Sequence, residues 1–98
     1  MTIVSVSSAG VPSVITQLDA LAAELAGRGW AARLEEPPRR LPRLHVQNPA
    51  APALSEYVYA KPRRDGTWTF WWPWAQPIAS ATARAAAVIT AALHTPDR

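Results

Sequence analysis

The side chains that could act as nucleophiles, acids or metal ligands are few and scattered along this chain of 98 residues. There are two histidines, seven aspartates and glutamates, and no cysteine. His45 and His94 have no carboxylate at the spacing of a metal site. Glu35-Glu36 precedes two prolines and is typical of a solvated strand end. With no nucleophile elbow and no glycine-rich phosphate loop, the sequence predicts no catalytic residue, metal site or cofactor, and favours a non-enzymatic protein.

Other side chains suit binding rather than catalysis. Between residues 33 and 71, aromatic and basic residues recur at every second position of several predicted strands, and alternation places them on one face of a sheet. Tryptophan, tyrosine and arginine are enriched at binding hot spots. We therefore predict a partner-binding face on which Trp71 stands in solvent. Its residues are Trp71, Tyr59, Tyr57, Lys61, His45, Arg43 and Arg33.

The partner predicted for this face is a protein, either a different one or a second copy of the chain. The alternative is nucleic acid, with Arg33, Arg43 and Lys61 on phosphates and with Trp71 and Tyr59 stacked on bases. Ten basic against seven acidic residues give a net charge of only +3, which ranks nucleic acid second. If the N-terminal segment or a helix covers this face, its aromatic residues are core instead.

A helix is expected to begin after Gly10, because apolar residues then recur at helical spacing. Its stripe contains Val11, Val14, Ile15, Leu18, Leu21, Ala22 and Leu25. Pro12 suits a first helical turn, and Gly27 and Gly29 are expected to end the helix in left-handed geometry. Residues 1–10 are interpreted either as a frayed end or as a short edge strand.

From Trp30 onward the apolar period changes to two, which predicts four strands at about 30–35, 43–47, 56–62 and 68–74. A stiff, exposed turn rich in proline and arginine over residues 37–43 links the first two strands, and a loop over 48–52 links the second and third. A second helix is predicted from Ile78 or Ser80 to His94.

The hairpin between the third and fourth strands fixes which residues share a face. Arg64-Asp65-Gly66 fits a three-residue loop that ends in a left-handed glycine, which pairs Ala60 with Phe70. A four-residue loop would shift the pairing by one and mix the two faces. The preferred register gives one apolar face, predicted to be core, with Val58, Ala60, Pro62, Trp68, Phe70, Trp72 and Trp74. The opposite face includes Thr69 and Trp71.

The predicted fold class is α+β, with the order helix, four-stranded antiparallel meander, helix, in two layers with both helices on one face of the sheet. A length of 98 residues predicts a single domain over 1–98, and 49% hydrophobic with 17% charged residues excludes a disordered chain. No apolar run approaches the ~20 residues of a membrane span, so no membrane partner is expected. With no cysteine and no secretory signal, a cytoplasmic location is expected.

Three stretches carry a resemblance to a known group of proteins: Leu-His-Val-Gln-Asn-Pro at 44–49, Pro-Ala-Leu-Ser-Glu at 52–56, and Asp-Gly-Thr-Trp-Thr-Phe-Trp-Trp-Pro-Trp-Ala-Gln-Pro-Ile at 65–78. They resemble small uncharacterised actinobacterial proteins, over about residues 14–93. The resemblance implies a helix–sheet–helix domain loosely associated with helix-turn-helix regulators, and no activity. The order of elements is also similar to a double-stranded-RNA-binding domain, but the second helix has only Arg84 where such domains carry a lysine cluster.

Overall fold

The computed structural model of the chain describes residues 10–94. The bounds of its elements are α1 Gly10–Gly27, β1 Ala31–Glu35, β2 Arg43–Asn48, β3 Ala51–Pro62, β4 Trp68–Trp71, β5 Pro77–Ala79 and α2 Thr82–Ala92. The strands form one antiparallel sheet in chain order. The α+β class is confirmed, but the sheet has five strands rather than the predicted four.

Helix α1 ends in hydrogen bonds that require a left-handed residue. The Trp30 N–H donates to the carbonyl of Leu25 over 3.0 Å, and the Gly29 N–H donates to the carbonyl of Ala26 over 2.9 Å. Gly29 has φ +83°, so this is a Schellman motif with glycine at its left-handed position. Gly27 is the last helical residue and does not share that geometry. Of the predicted N-terminal segment, all but Gly10 lies outside the described residues.

Both helices and one face of the sheet contribute to a single core. Its buried residues are Leu18, Leu21 and Leu25 of α1, Leu44, Val46, Val58, Ala60, Phe70 and Trp72 of the sheet side, and Ala85, Ala86 and Ile89 of α2. Trp30, Ala32 and Leu34 pack against this cluster, as the alternation predicted. Because α2 contributes mainly alanine, its shallow surface leaves space for the bulky aromatic side chains of the sheet. We call this side of the sheet the inner face.

The hairpin between β3 and β4 confirms the predicted register. Ala60 pairs with Phe70, and the Arg63 N–H donates to the carbonyl of Thr67 over 2.7 Å. Gly66 has φ +90°, the left-handed geometry expected at the end of the loop. Within the loop, the Asp65 carboxylate accepts the backbone N–H and the hydroxyl of Thr67 at 3.0 and 2.6 Å. These hydrogen bonds lower the pKa of Asp65.

The predicted fourth strand is too long, because the chain turns after Trp71. The Trp72 N–H donates to the carbonyl of Gln76, and the Ala75 N–H donates to that of Trp72. Trp72 stays buried, but Trp74 is 58% exposed, so its predicted place in the core is wrong. The Trp74 ring stacks on that of Trp72 with centroids 5.3 Å apart, and its Nε1–H donates to Gln76 Oε1 over 2.8 Å.

The turn at Trp72 creates the fifth strand and delays the second helix. Strand β5 pairs Ala79 with Phe70, and Ile78, predicted to belong to the helix, lies on β5 and packs partly buried against the core. Helix α2 then begins at Thr82. Thr69, predicted on the opposite face, is only 4% exposed, and its hydroxyl lies 3.2 Å from that of Ser80.

Strand β3 begins at Ala51 rather than near residue 56, so the predicted loop shrinks to two residues. A bulge between Gln47 and Asn48 marks this junction. The buried Asn48 Nδ2 donates to the carbonyl of Leu93 over 2.8 Å, and its Oδ1 accepts the Ala50 N–H over 2.8 Å. One polar side chain thus ties the end of β2 to the end of α2.

Candidate binding face and groove

The face of the sheet opposite the helices, which we call the outer face, carries all seven predicted binding residues. The register pairs Arg33 with His45, His45 with Tyr57, and Tyr59 with Trp71. Residues directly opposite in an antiparallel sheet share a face, and their neighbours along each strand point into the core. The predicted set therefore divides into two groups along this face.

The first group, which we call the paired cluster, consists of Arg33, Glu35, Arg43, His45 and Tyr57. Arg43 Nε lies 3.0 Å from Glu35 Oε1, and an Arg33 guanidinium nitrogen lies 3.3 Å from Glu35 Oε2. The Arg43 guanidinium also lies 4.2 Å from the ring centroid of Tyr57, whose ring is 5.1 Å from that of His45. Glu35, interpreted from the sequence as a solvated strand end, is the centre of this cluster.

The electrostatics of the paired cluster follow from its ion pairs. The hydrogen bond from Arg43 is the main cause that holds the pKa of Glu35 below its ordinary value, with Arg33 adding to it. The same hydrogen bond raises the pKa of Arg43, and Tyr59 adds to that shift. Both arginines predicted to contact phosphates thus share one carboxylate within the chain, which offsets part of their positive charge.

The second group contains Tyr59, Lys61 and Trp71. Trp71 is half-buried rather than standing in solvent, and Lys61 Nζ lies 5.5 Å from the centroid of its ring. The Trp71 Nε1–H is buried and has no acceptor among the described residues. An unpaired buried donor is uncommon in folded proteins and is unfavourable by about 1–3 kcal/mol.

A groove of about 450 Å³ opens at the end of the outer face that the second group occupies. Tyr59 and Trp71 contribute aromatic surface to it, and Lys61 lies beside them. The turn between β1 and β2 supplies Arg39 and Arg40 to the lining. Cavities of this size accommodate small ligands or a few side chains of a partner.

Two turns flank this groove, and each presents an exposed apolar residue. The turn between β1 and β2 adds Leu41 to the lining, and the turn between β4 and β5 adds Pro73 and Ala75. Leu41 and Trp74 are both 58% exposed, and they are the exposed large hydrophobic residues of the described part of the chain. Leu41 thus adds exposed apolar surface to the groove, whereas the Trp74 ring stacks on that of Trp72 and is not part of the lining.

Sequence reasoning missed the part of the groove that comes from the turn between β1 and β2. The Arg40 N–H donates to the carbonyl of Pro37 over 3.3 Å, and Arg39 adopts φ +61°. The segment is an exposed turn, as predicted, but it also places Arg39, Arg40 and Leu41 at the groove. The feature of the sequence that could have indicated this part of the groove is Leu41, an apolar residue in a turn that is otherwise rich in proline and arginine.

Comparison with protein-family models, with curated proteins and with solved structures finds no match. The outer face and the groove are therefore the features of the chain that bear on its function. The resemblance to actinobacterial helix–sheet–helix proteins remains a prediction. Neither helix in the described range is long and apolar enough to cross a membrane.

Proposed function

We propose that this chain is a non-enzymatic protein-binding domain that contacts its partner through the outer face. The observation that carries the proposal is Leu41, whose side chain is 58% exposed at the lining of the groove, beside the partly exposed rings of Tyr59 and Trp71. An apolar side chain in water gains about 25 cal/mol for each Å² that a partner covers. Apolar residues concentrated beside a groove are typical of interaction sites.

The composition of the outer face supports a protein partner. Tyr57, Tyr59 and Trp71 are all partly exposed on it, and aromatic residues contribute most to the energy of protein interfaces. The paired cluster is a partly exposed polar surface next to this apolar end, and its ion pairs offset part of its positive charge. An apolar centre beside a polar rim is the usual anatomy of a protein interface.

Nucleic-acid binding is the weaker candidate for the same face. The phosphate contacts predicted for it included Arg33 and Arg43, and Glu35 lies within ion-pair distance of both. A phosphate would have to compete with this carboxylate at each position. Nucleic-acid affinity depends on the number of phosphates that a protein neutralises, so the compensation weakens this candidate.

The test is affinity capture with outer-face variants. Wild-type protein, the double variant Leu41→Ser/Trp74→Ser and the control Ala23→Ser/Ala87→Ser are each used to capture proteins from native cell extract. The control alters two exposed alanines on the helical side. We expect wild type and control to retain the same partner, and the outer-face variant to lose about tenfold of it, as removal of about 1.4 kcal/mol would cause.

Two further measurements complete this test. Thermal melts monitored by circular dichroism establish that each variant is folded. Sedimentation of the purified proteins establishes whether the partner is a second copy, in which case wild type self-associates and the Leu41→Ser/Trp74→Ser variant is a monomer. Equal capture by all three proteins, together with equal sedimentation, would contradict the proposed function.

A further inference from the structure

The charges around the groove differ from those elsewhere on the outer face. Arg39, Arg40 and Lys61 contribute three cations to its lining, and no aspartate or glutamate among the described residues lines it. None of the three forms an ion pair within residues 10–94, whereas Arg33 and Arg43 share Glu35. The groove thus carries three cations without an ion pair among the described residues, beside a cluster in which two arginines share one carboxylate.

The apolar surface of the groove lies among these cations. Trp71 and Tyr59 contribute aromatic surface, and Leu41 exposes its side chain at the lining. A ligand that fits both features carries negative charge next to an apolar group. Carboxylates suit arginine particularly well, because the planar guanidinium can donate two parallel hydrogen bonds to them.

We propose that the groove binds an acidic peptide segment of a partner protein, with its carboxylates on Arg39, Arg40 and Lys61 and an apolar side chain against Trp71 and Leu41. This inference rests on the proposed function, since it identifies the part of the protein partner that the outer face recognises. The volume of about 450 Å³ suits a few side chains rather than a folded domain.

The arrangement of the charges favours a peptide over a nucleic-acid strand. Single-stranded nucleic acids are bound along a basic groove that follows several consecutive phosphates, with bases stacked on exposed aromatic rings. Here the groove at one end of the outer face contributes three cations, and the two arginines of the paired cluster along the rest of the face share Glu35.

The experiment is a titration followed by ¹H–¹⁵N NMR, in which tryptophan indole signals report on the groove. The probe is a capped hexapeptide of alternating aspartate and phenylalanine. Three comparison ligands separate the contributions: the same peptide with asparagine for aspartate, the same peptide with glycine for phenylalanine, and oligothymidylate. The Trp71 indole signal is assigned from a Trp71→Phe variant.

Two matched double variants test which cations the peptide uses. Arg39→Gln/Arg40→Gln removes two adjacent arginines from the groove, and Arg63→Gln/Arg64→Gln removes two adjacent arginines from the exposed turn between β3 and β4. Both pairs lie in exposed turns, and both substitutions change the net charge equally. Thermal melts establish that both variants remain folded before binding is compared.

We expect the aspartate–phenylalanine peptide to shift the Trp71 indole signal and the amides of the groove. Arg39→Gln/Arg40→Gln should weaken its binding about tenfold, because it removes two ion pairs with the peptide and exposed ion pairs contribute about 0.2–1 kcal/mol each. Arg63→Gln/Arg64→Gln should change the binding less than about twofold, because these two arginines do not line the groove. Both the asparagine and the glycine peptide should bind more weakly, since each lacks one of the two matching features.

Several results would overturn this inference. Equal effects of the two arginine variants would show a response to net charge only. Salt-sensitive binding of oligothymidylate without binding of the peptide would assign the groove to nucleic acid. If Leu41→Ser/Trp74→Ser loses the captured partner while Arg39→Gln/Arg40→Gln retains it and the peptide does not bind, the proposed function stands and the acidic-peptide inference fails. If no variant affects capture, both fail.

Discussion

The two faces of the sheet are built from the same strands and stabilise the protein in different ways. On the inner face, Leu44, Val46, Val58 and Phe70 are fully buried. On the outer face, their immediate neighbours His45, Tyr57 and Trp71 are only partly covered, and they are held by a tilted ring contact between His45 and Tyr57 and by cation–π contacts from Arg43 and Lys61. Alternation along a strand therefore separates a face for folding from a face that is available for binding.

Phe70 and Trp71 are neighbours on β4, so they test this comparison directly. We expect Phe70→Ala to destabilise the protein by about 3–5 kcal/mol, because it leaves a cavity in the core. Trp71→Ala should cost less than about 2 kcal/mol, since the side chain is half-buried and its unpaired indole donor is removed with it. Urea denaturation measures both values.

Equal losses for the Phe70 and Trp71 variants would place Trp71 in the core and contradict the distinction between the faces. Phe70→Leu serves where Phe70→Ala does not fold, since it retains most of the buried apolar volume. Trp71→Leu is then the matched comparison, and a loss for Phe70→Leu smaller than that for Trp71→Leu would count against the distinction in the same way.

Asn48 is a buried polar residue among the apolar residues of the inner face, and its hydrogen bonds can be tested separately. Asn48→Ala should cost about 1–3 kcal/mol, because it leaves the Leu93 carbonyl and the Ala50 N–H without their side-chain partner. The control is Gln47→Ala, at the position before Asn48, which removes an exposed hydrogen bond from the Gln47 side chain to the Pro52 carbonyl. We expect that control to stay within about 0.5 kcal/mol of wild type in urea denaturation. A reversed order would show that the tie between β2 and α2 is unimportant.

Glu35 tests the stability contribution of the paired cluster through its dependence on pH. The pKa of Glu35 is lower in the folded chain than its ordinary value of 4.5. The contribution of Glu35 to the free energy of unfolding is therefore complete above pH 4.5, and it is lost as the pH falls through the pKa of the folded state. We therefore expect Glu35→Gln to lower the melting temperature at pH 7 and to matter progressively less as the solution is acidified below pH 4.5. Glu36→Gln, which changes the adjacent exposed carboxylate, is the control. A Glu35 effect that is constant over this range would exclude the ion pairs as its cause.

The smallest expected effect concerns the turn that carries one side of the groove. Ala75 has φ +65° at the position that corresponds to Gly66 in the preceding hairpin, with the same pair of backbone hydrogen bonds. Ala75→Gly should stabilise the protein by less than about 1 kcal/mol, since relief of strain is partly offset by unfolded-state entropy. Gly66→Ala should have the opposite sign. Melting temperatures of the two variants measure this, and a loss of stability in Ala75→Gly would mean that residue 75 is not strained.

Local sequence determined the register of the hairpin between β3 and β4 and the residues that share each of its faces. A three-residue loop that ends in Gly66 permits one pairing of its strands, and the period of two then assigns every side chain to a face. These features depend only on neighbouring residues. For the same reason, the helical stripe of Leu18, Leu21 and Leu25 could be predicted, as could the membership of the outer face from Arg33 to Trp71.

Only the tertiary structure decided where the fourth strand ends and what lies beside Trp71. Alternation through Trp72 and Trp74 is compatible with one long strand, but the chain turns, with Trp72 buried and Trp74 stacked on it from outside. The contribution of Arg39 and Arg40 to the lining of the groove likewise could not be predicted from the alternation of side chains along a strand. The physical reason is that contacts between distant segments depend on how the chain packs as a whole, whereas side-chain alternation depends on the backbone of one strand.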